Sequence, residues 1–177
     1  MKKYEFTGET KEIRLLFRTA TLHRIRATVA FGIVEVGDLG GWIEKEENLS
    51  HEGKAWVCGN AEVWGDAEVC GDAKVCGDAE VWGNAKVWDN AKVFSASHVL
   101  VIGAIGSRND FTTFYRDKDN EITVKCGCFL GKIDRFLEKV TQTHGDSKYA
   151  LVYRAAVEVA KLQIDLSGEA PKDADEE

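Results

Sequence analysis

A parallel β-helix built from six-residue repeats is the fold that the sequence predicts for residues 53–106. From Gly53 the chain can be written in groups of six, beginning GKAWVC, GNAEVW and GDAEVC. A valine ends each short strand and an alanine precedes it by two positions, so both side chains face the same side. Glycine, followed in most groups by Asp or Asn, supplies the turn, because these residues tolerate tight turns and positive φ.

The repeat can be followed through nine groups. Val99 and Ile105 continue the valine series, while Ser97 and Gly103 continue the alanine series. Antiparallel hairpins fit this constant spacing less well than a solenoid does. A coiled coil is excluded, because glycine recurs at nearly every sixth position.

The pattern G-[DN]-A-x-V-x resembles the hexapeptide repeat of left-handed parallel β-helices, in which three groups complete one triangular coil. The left-handed sense and about three coils follow from this resemblance, since ordinary parallel crossovers are right-handed. A body that short buries little surface by itself, so it is expected to need terminal caps, a partner, or both.

One face of the predicted helix carries an apolar ladder that points outward, formed by Trp64, Trp82 and Leu100. Exposed apolar ladders are typical of interfaces. The sequence therefore predicts a homo-oligomer, with a trimer as the expected form. The alternative, in which a terminal segment folds back over the ladder, remains open.

The flanking segments differ from the repeat and divide the chain into four regions. Residues 1–52 show β-type alternation and are predicted to cap the repeat region, 53–106. Residues 107–166 are predicted to form a small ββαα domain, and residues 167–177 an acidic tail. Five acids and one lysine lie between Gly168 and Glu177, a composition typical of segments without a packed core.

The ββαα prediction rests on two strands, Asp110 to Arg116 and Glu121 to Phe129, joined by a polar turn. Apolar residues then recur at helical spacing from Ile133, and Gly145 is expected to end that helix. Asp146 or Ser147 would begin a second helix. Its apolar face is predicted to include Leu151, Ala155, Leu162 and Leu166.

Composition excludes several classes of function. The net charge of −7 argues against nucleic acid and anionic membranes as partners, because both require a basic surface. No apolar run approaches the ~20 residues that cross a bilayer, and Met1 to Phe6 leads into no signal-peptide core. Cys58, Cys70 and Cys76 share a repeat position with Trp, so we expect reduced cysteines and a cytoplasmic protein.

Over most of its length the chain is similar to hexapeptide-repeat proteins of bacteriophages and prophages. The similarity is carried by LHRIRA at 22–27, GDLGGWIEKEENLS at 37–50, IGSRNDFTTFY at 105–115, KCGCF at 125–129 and THGD at 143–146. The resemblance transfers no catalytic residues. It implies a phage-encoded protein that acts inside an infected cell and counters a host defence.

A dense polar stretch follows the repeat and is the predicted binding site for a small anionic, nucleotide-like ligand. Arginine suits phosphate because it can donate two parallel hydrogen bonds, and an aromatic residue can stack on a base. The alternative is a junction whose polar side chains satisfy turn backbone. The predicted ligand-binding residues are Ser107, Arg108, Asn109, Asp110, Thr112, Thr113 and Tyr115.

Catalytic and metal sites are weaker hypotheses. His98, expected to point outward, or His144, beside Asp146, would be the base if the protein were a hexapeptide-repeat acyltransferase. The long loops that build acceptor sites in such enzymes are missing between the groups. Cys126 and Cys128 share a strand face, but zinc would need a further ligand. We therefore expect no metal and no cofactor.

Three hypotheses about function remain open at this point. The favoured one is a non-enzymatic binding protein that oligomerises through the repeat region and captures an anionic ligand or a host defence protein. The second is an acyltransferase, and the third is a purely structural or assembly protein.

Overall fold

The computed structural model describes residues 2–16 and 18–167, in which short β-strands dominate and two helices follow. The N-terminal segment forms an antiparallel arrangement of three strands, β1 to β2 to β3. Their bounds are Tyr4–Arg14, Thr19–Ala27 and Leu39–Ile43.

Seven strands of two residues each follow in the repeat region. Each pairs in parallel with the strand 18 residues along the chain. The seven are β4 (Trp56–Val57), β5 (Glu62–Val63), β6 (Glu68–Val69), β7 (Lys74–Val75), β8 (Glu80–Val81), β9 (Lys86–Val87) and β10 (Lys92–Val93).

The predicted left-handed parallel β-helix of about three coils is wrong. The strands divide among four separate sheets, in the orders β1-β2-β3-β5-β8, β10-β7-β4, β6-β9 and a C-terminal four-stranded sheet. None of these is a solenoid. A physical reason is that each group supplies only two strand residues before its turn, so the regular spacing fixes which side chains are buried but builds no continuous sheet.

The repeat also ends earlier than predicted. Residues 96–98 form a turn of 3₁₀-helix, and the strand that follows, β11 (Val99–Ile105), pairs antiparallel rather than parallel. Gly103, which was expected to continue the alanine series, is exposed. Within the last two of the nine groups, residues 99–105 therefore belong to the C-terminal sheet.

The predicted inward direction of the alanine and valine side chains is confirmed for the first seven groups. Every alanine from Ala55 to Ala91 and every valine from Val57 to Val93 is at most 1% exposed. They form one apolar core together with Tyr4, Ile25 and Tyr115. Strand β3 continues the same sheet as β5, so the N-terminal strands and the repeat share this core.

One pair of cysteines departs from the prediction of reduced thiols. Cys58 and Cys76 are joined by a disulfide, with Cα atoms 4.6 Å apart. The cause is the 18-residue register, which places β4 directly beside β7. Each cysteine follows the last residue of its strand, so the two lie side by side. Cys70, Cys126 and Cys128 are free.

The C-terminal sheet is antiparallel and has four strands where two were predicted. Its order is β11-β12-β13-β14, and the predicted second strand, Glu121 to Phe129, is split by a turn at Gly127, whose φ is +55°. The remaining bounds are β12 (Asp110–Arg116), β13 (Ile122–Cys126), β14 (Phe129–Lys132), α1 (Ile133–His144) and α2 (Lys148–Gln163).

Helix α2 buries a different face from the predicted one. It packs against α1 and β11 through small residues and Tyr153, whereas Leu162 is 89% exposed and Leu151 58%. Alanines at the contact let the helix lie close to the sheet, so the larger aliphatic side chains are left outside. The buried residues of α2 are Ala150, Tyr153, Ala156, Val157 and Ala160.

Candidate ligand pocket

A cavity of about 380 Å³ lies between the β11–β12 turn, the β13–β14 turn and the two helices. We call it the hairpin–helix pocket. Its volume falls in the range of small-molecule sites. It is lined by Ser107, Arg108, Asp110, Cys126, Gly127, Cys128, Phe129, Phe136, Lys139, Val140, Thr143, His144 and Tyr153.

Two glycines allow the turns to approach the pocket closely. Gly106 has φ +73°, and a β-carbon there would lie 1.9 Å from Tyr153 Oη. Gly127 has φ +55°, and a β-carbon there would lie 3.1 Å from Arg108 Nη1. Only glycine fits the first position without displacing the tyrosine, because real β-carbons do not come so close to another heavy atom.

Aromatic rings form the floor of the pocket. The Phe136 ring lies 5.6 Å from that of Tyr153 in an edge-to-face arrangement, and 5.2 Å from that of Phe129. The imidazole of His144 stacks on Tyr153, with 5.8 Å between ring centroids and 30° between planes. Such pairs favour a fixed ring geometry, so the floor is preformed.

The Tyr153 hydroxyl adds a polar group to this floor. Burial, and then the neighbouring Cys126, raises the pKa of Tyr153 to about 12. Its oxygen lies 3.9 Å from Cys126 Sγ, which in turn accepts a hydrogen bond from Thr112 Oγ1 at 3.3 Å. At neutral pH the phenol is therefore protonated and can donate a hydrogen bond.

Two of the three charged side chains at the rim are positive. Arg108 comes from the hairpin turn and Lys139 from α1, where His144 adds an imidazole. Asp110 is the one carboxylate among the lining residues, and its Oδ1 accepts a hydrogen bond from the amide of Phe111 at 2.7 Å. The pocket therefore combines an aromatic floor with a cationic rim in a protein that is acidic overall.

The structure brings together three of the seven residues predicted to bind ligand. Ser107, Arg108 and Asp110 line the pocket, whereas Asn109 is exposed in the turn with φ +53°. The other three lie in β12 and are buried. Thr112 hydrogen-bonds to Cys126, Thr113 Oγ1 accepts from the amide of Lys86 at 3.0 Å, and Tyr115 lies in the core.

Sequence reasoning missed the contribution of the helices. Residues at helical spacing on α1 line the pocket. The sequence pattern that could have indicated them is the presence of the polar residues Lys139 and Thr143 on the otherwise apolar face of α1. Tyr153 was missed because the apolar face of α2 was placed on the wrong side. The overlooked lining residues are Phe129, Phe136, Lys139, Val140, Thr143 and Tyr153.

The two histidines considered as catalytic bases lie in different environments. His98 is 9% exposed, so the expectation that it points outward is wrong. Its Nδ1 accepts from the amide of Phe94 at 3.2 Å, and its Nε2 lies 3.2 Å from Arg116 Nη1. Burial, and then Arg116, lowers the pKa of His98.

The second histidine, His144, lines the pocket. The carboxylate of Asp146 lies 3.5 Å from Arg154 Nη1 and is 99% exposed, so the described contacts do not couple it to His144. Within residues 2–16 and 18–167 there is no group of three or more His, Cys, Asp or Glu side chains that could hold a metal ion.

The apolar ladder predicted as an interface is only partly continuous. Trp64 and Trp82 stack with ring centroids 5.2 Å apart and planes 6° apart, and Trp82 is 55% exposed. Leu100 is half-buried and packs against the C-terminal core instead. Trp82 and Leu100 both line a cavity of about 540 Å³.

No family model and no curated protein matches this chain. The resemblance to hexapeptide-repeat proteins of bacteriophages is wrong, since the repeat region forms no solenoid and no family model matches. The phage setting that it implied stays a prediction. Among the described residues, no helix is both long enough and apolar enough to span a bilayer.

Proposed function

We propose that the protein binds a small anionic ligand with an aromatic portion, such as a mononucleotide, in the hairpin–helix pocket. The observation that carries the proposal is the convergence of Arg108, Lys139 and His144 on one cavity with an aromatic floor. A cytoplasmic location belongs to the same proposal; the free thiols of Cys126 and Cys128 support it, and the Cys58–Cys76 disulfide argues against it, because disulfides are rare in reducing compartments.

The cationic rim supports binding of a phosphate. A guanidinium can donate two parallel hydrogen bonds to phosphate oxygens, and a lysine adds a point charge. These groups come from two separate elements, the hairpin turn and α1. They would neutralise a phosphate together, while the Asp110 carboxylate would accept a hydrogen bond from a ribose hydroxyl.

The floor supports an aromatic portion of the ligand. The half-buried Phe129 presents apolar ring surface and packs on the buried Phe136, and stacking of a base on such a ring contributes about 1–3 kcal/mol. The protonated Tyr153 hydroxyl offers one hydrogen-bond donor at the bottom of the pocket, which would favour a base with an exposed acceptor. The acyltransferase hypothesis is supported less, because His98 is buried against Arg116.

Arg108→Ala is expected to weaken binding of adenosine monophosphate by at least about tenfold, because losing a hydrogen bond to a charged group costs ~1.5–3 kcal/mol. The melting temperature should barely change, since an exposed arginine contributes little to stability. Isothermal titration calorimetry and a thermal melt on the same variant measure both quantities.

Arg135→Ala on α1 is the matched control, because Arg135 is also exposed but lies outside the pocket. It should leave the affinity unchanged. The proposal is overturned if adenosine, guanosine and uridine monophosphates all fail to bind the wild-type protein. It is also overturned if Arg108→Ala lowers the melting temperature and leaves nucleotide affinity intact, since that pattern indicates a structural turn.

A second proposal is self-association through the stacked tryptophans. Trp82 is a large apolar side chain, more than half exposed, that stacks on Trp64 and borders a cavity. Large aromatic side chains of this kind are enriched at the centres of interfaces. A homotrimer, or another homo-oligomer, would cover them.

Replacing Trp64 and Trp82 together by Glu is expected to lower the oligomeric mass, because four or six like charges would meet at the interface. Sedimentation equilibrium measures the mass directly. Wild-type protein that sediments as a monomer at all concentrations would rule out this interface.

A further inference from the structure

Helix α2 has a second apolar face that nothing in the described chain covers. Its inner face is closed against α1 and β11, yet four large aliphatic residues remain outside. Leu162 is 89% exposed, Leu151 58%, Val159 49% and Val152 40%. Single exposed aliphatic residues are ordinary, but a contiguous group on one helix indicates an interface.

The spacing of these residues is that of a helix-pairing seam. Val152, Ala155, Val159 and Leu162 follow one another at intervals of three, four and three residues. Side chains at this spacing form a narrow stripe that packs into a matching stripe on another helix. Leu151 lies at the edge of the stripe, and the exposed alanine in its middle allows a close approach.

We propose that this seam, Val152, Ala155, Val159 and Leu162, pairs with the same seam of a second copy of the chain, with the two helices antiparallel. A twofold axis near the middle of α2 sets Val152 against Leu162 of the other copy and Ala155 against Val159. Each pair thus combines a smaller side chain with a larger one, so the volumes are complementary along the stripe.

The charges at the two ends of the seam select the antiparallel orientation. Lys148 extends the stripe at the N-terminal end of α2, and Asp165 follows its C-terminal end; both are exposed. Parallel pairing would place two Lys148 ammonium groups together. Antiparallel pairing places each lysine beside Asp165 and the terminal carbonyls of the partner helix, where a cation is favoured.

Leu162→Glu tests the seam, with sedimentation equilibrium as the measurement. The dimer dissociation constant should rise at least ~100-fold, because two leucines lose their buried surface. Leu16→Glu is the matched control, since Leu16 is 88% exposed but lies outside α2; it should leave the constant unchanged. Folding is not at risk in either variant, and far-ultraviolet circular dichroism checks it.

A charge exchange tests the orientation. Lys148→Asp alone should weaken the dimer about tenfold, and adding Asp165→Lys should restore it.

The Trp64→Glu/Trp82→Glu protein serves as the background for all these variants, so that association through the tryptophans does not mask the result. The seam is refuted if the Trp64→Glu/Trp82→Glu protein is monomeric. It is also refuted if adding Leu162→Glu to that protein leaves its dimer dissociation constant unchanged. The antiparallel orientation is refuted if the charge exchange restores nothing. Neither outcome depends on ligand binding in the pocket.

Discussion

Val75→Asp is expected to prevent the chain from folding. Val75 is 0% exposed, in the middle of the shared core of the N-terminal strands and the repeat. An aspartate there would be an unpaired charge among valines and alanines, and burying such a charge costs several kcal/mol or more, comparable to the whole stability of a domain. The variant should be insoluble or lack a cooperative thermal transition.

Lys86→Asp is the control for this experiment. Lys86 is exposed on the outward side of a repeat strand, so an aspartate there remains solvated. It should express and melt almost as the wild type does, with a small loss because Glu68 lies nearby. If Val75→Asp melted normally, the assignment of inward and outward positions in the repeat would be incorrect.

Gly106→Ala is expected to destabilise the protein and to damage the pocket together. The added β-carbon would lie 1.9 Å from Tyr153 Oη and 2.2 Å from its Cζ, so the ring must move out of the floor. Positive φ costs an alanine roughly 1–2 kcal/mol, and the clash adds roughly 1–3 kcal/mol. Chemical denaturation measures the free energy of unfolding.

Gly83→Ala separates the two causes. Gly83 has a similar φ, +69°, but a β-carbon there meets nothing within 4 Å. The free energy of unfolding of Gly83→Ala should therefore fall only by the amount that positive φ costs an alanine. If both alanine variants lost the same free energy of unfolding, the close contact between the hairpin turn and Tyr153 would not contribute to stability. Gly106→Ala should then leave nucleotide affinity unchanged.

The sequence predicted the inside of the repeat better than its sheets. Alternation of Ala and Val with polar residues determines burial locally, and burial was correct from Ala55 to Val93. Sheet membership depends on which strands become neighbours, and a two-residue strand carries too few hydrogen bonds to fix this alone. The disulfide between Cys58 and Cys76 was missed for another reason: the cysteines share a repeat position with Trp and were interpreted as reduced apolar residues, although the 18-residue register places the two side by side.

The candidate pocket could be predicted only on its hairpin side. Ser107, Arg108 and Asp110 stand together in the sequence and identified a polar turn. The opposite wall comes from the helices, and its placement depended on which face of α2 is buried. Hydrophobicity favoured Leu151 and Leu162 for that face, but close packing selected the alanines and Tyr153 instead.

The register of the repeat has a consequence for how the gene can change in length. Each repeat strand is paired with the strand 18 residues away, so losing or gaining 18 residues would keep every remaining valine on its present sheet. A change of six residues would keep the valines buried but move the strands of every later group to a different sheet. Trp82 would then no longer lie over Trp64. We therefore expect insertions or deletions of three whole groups to preserve the strand pairing, and those of one group to disrupt it.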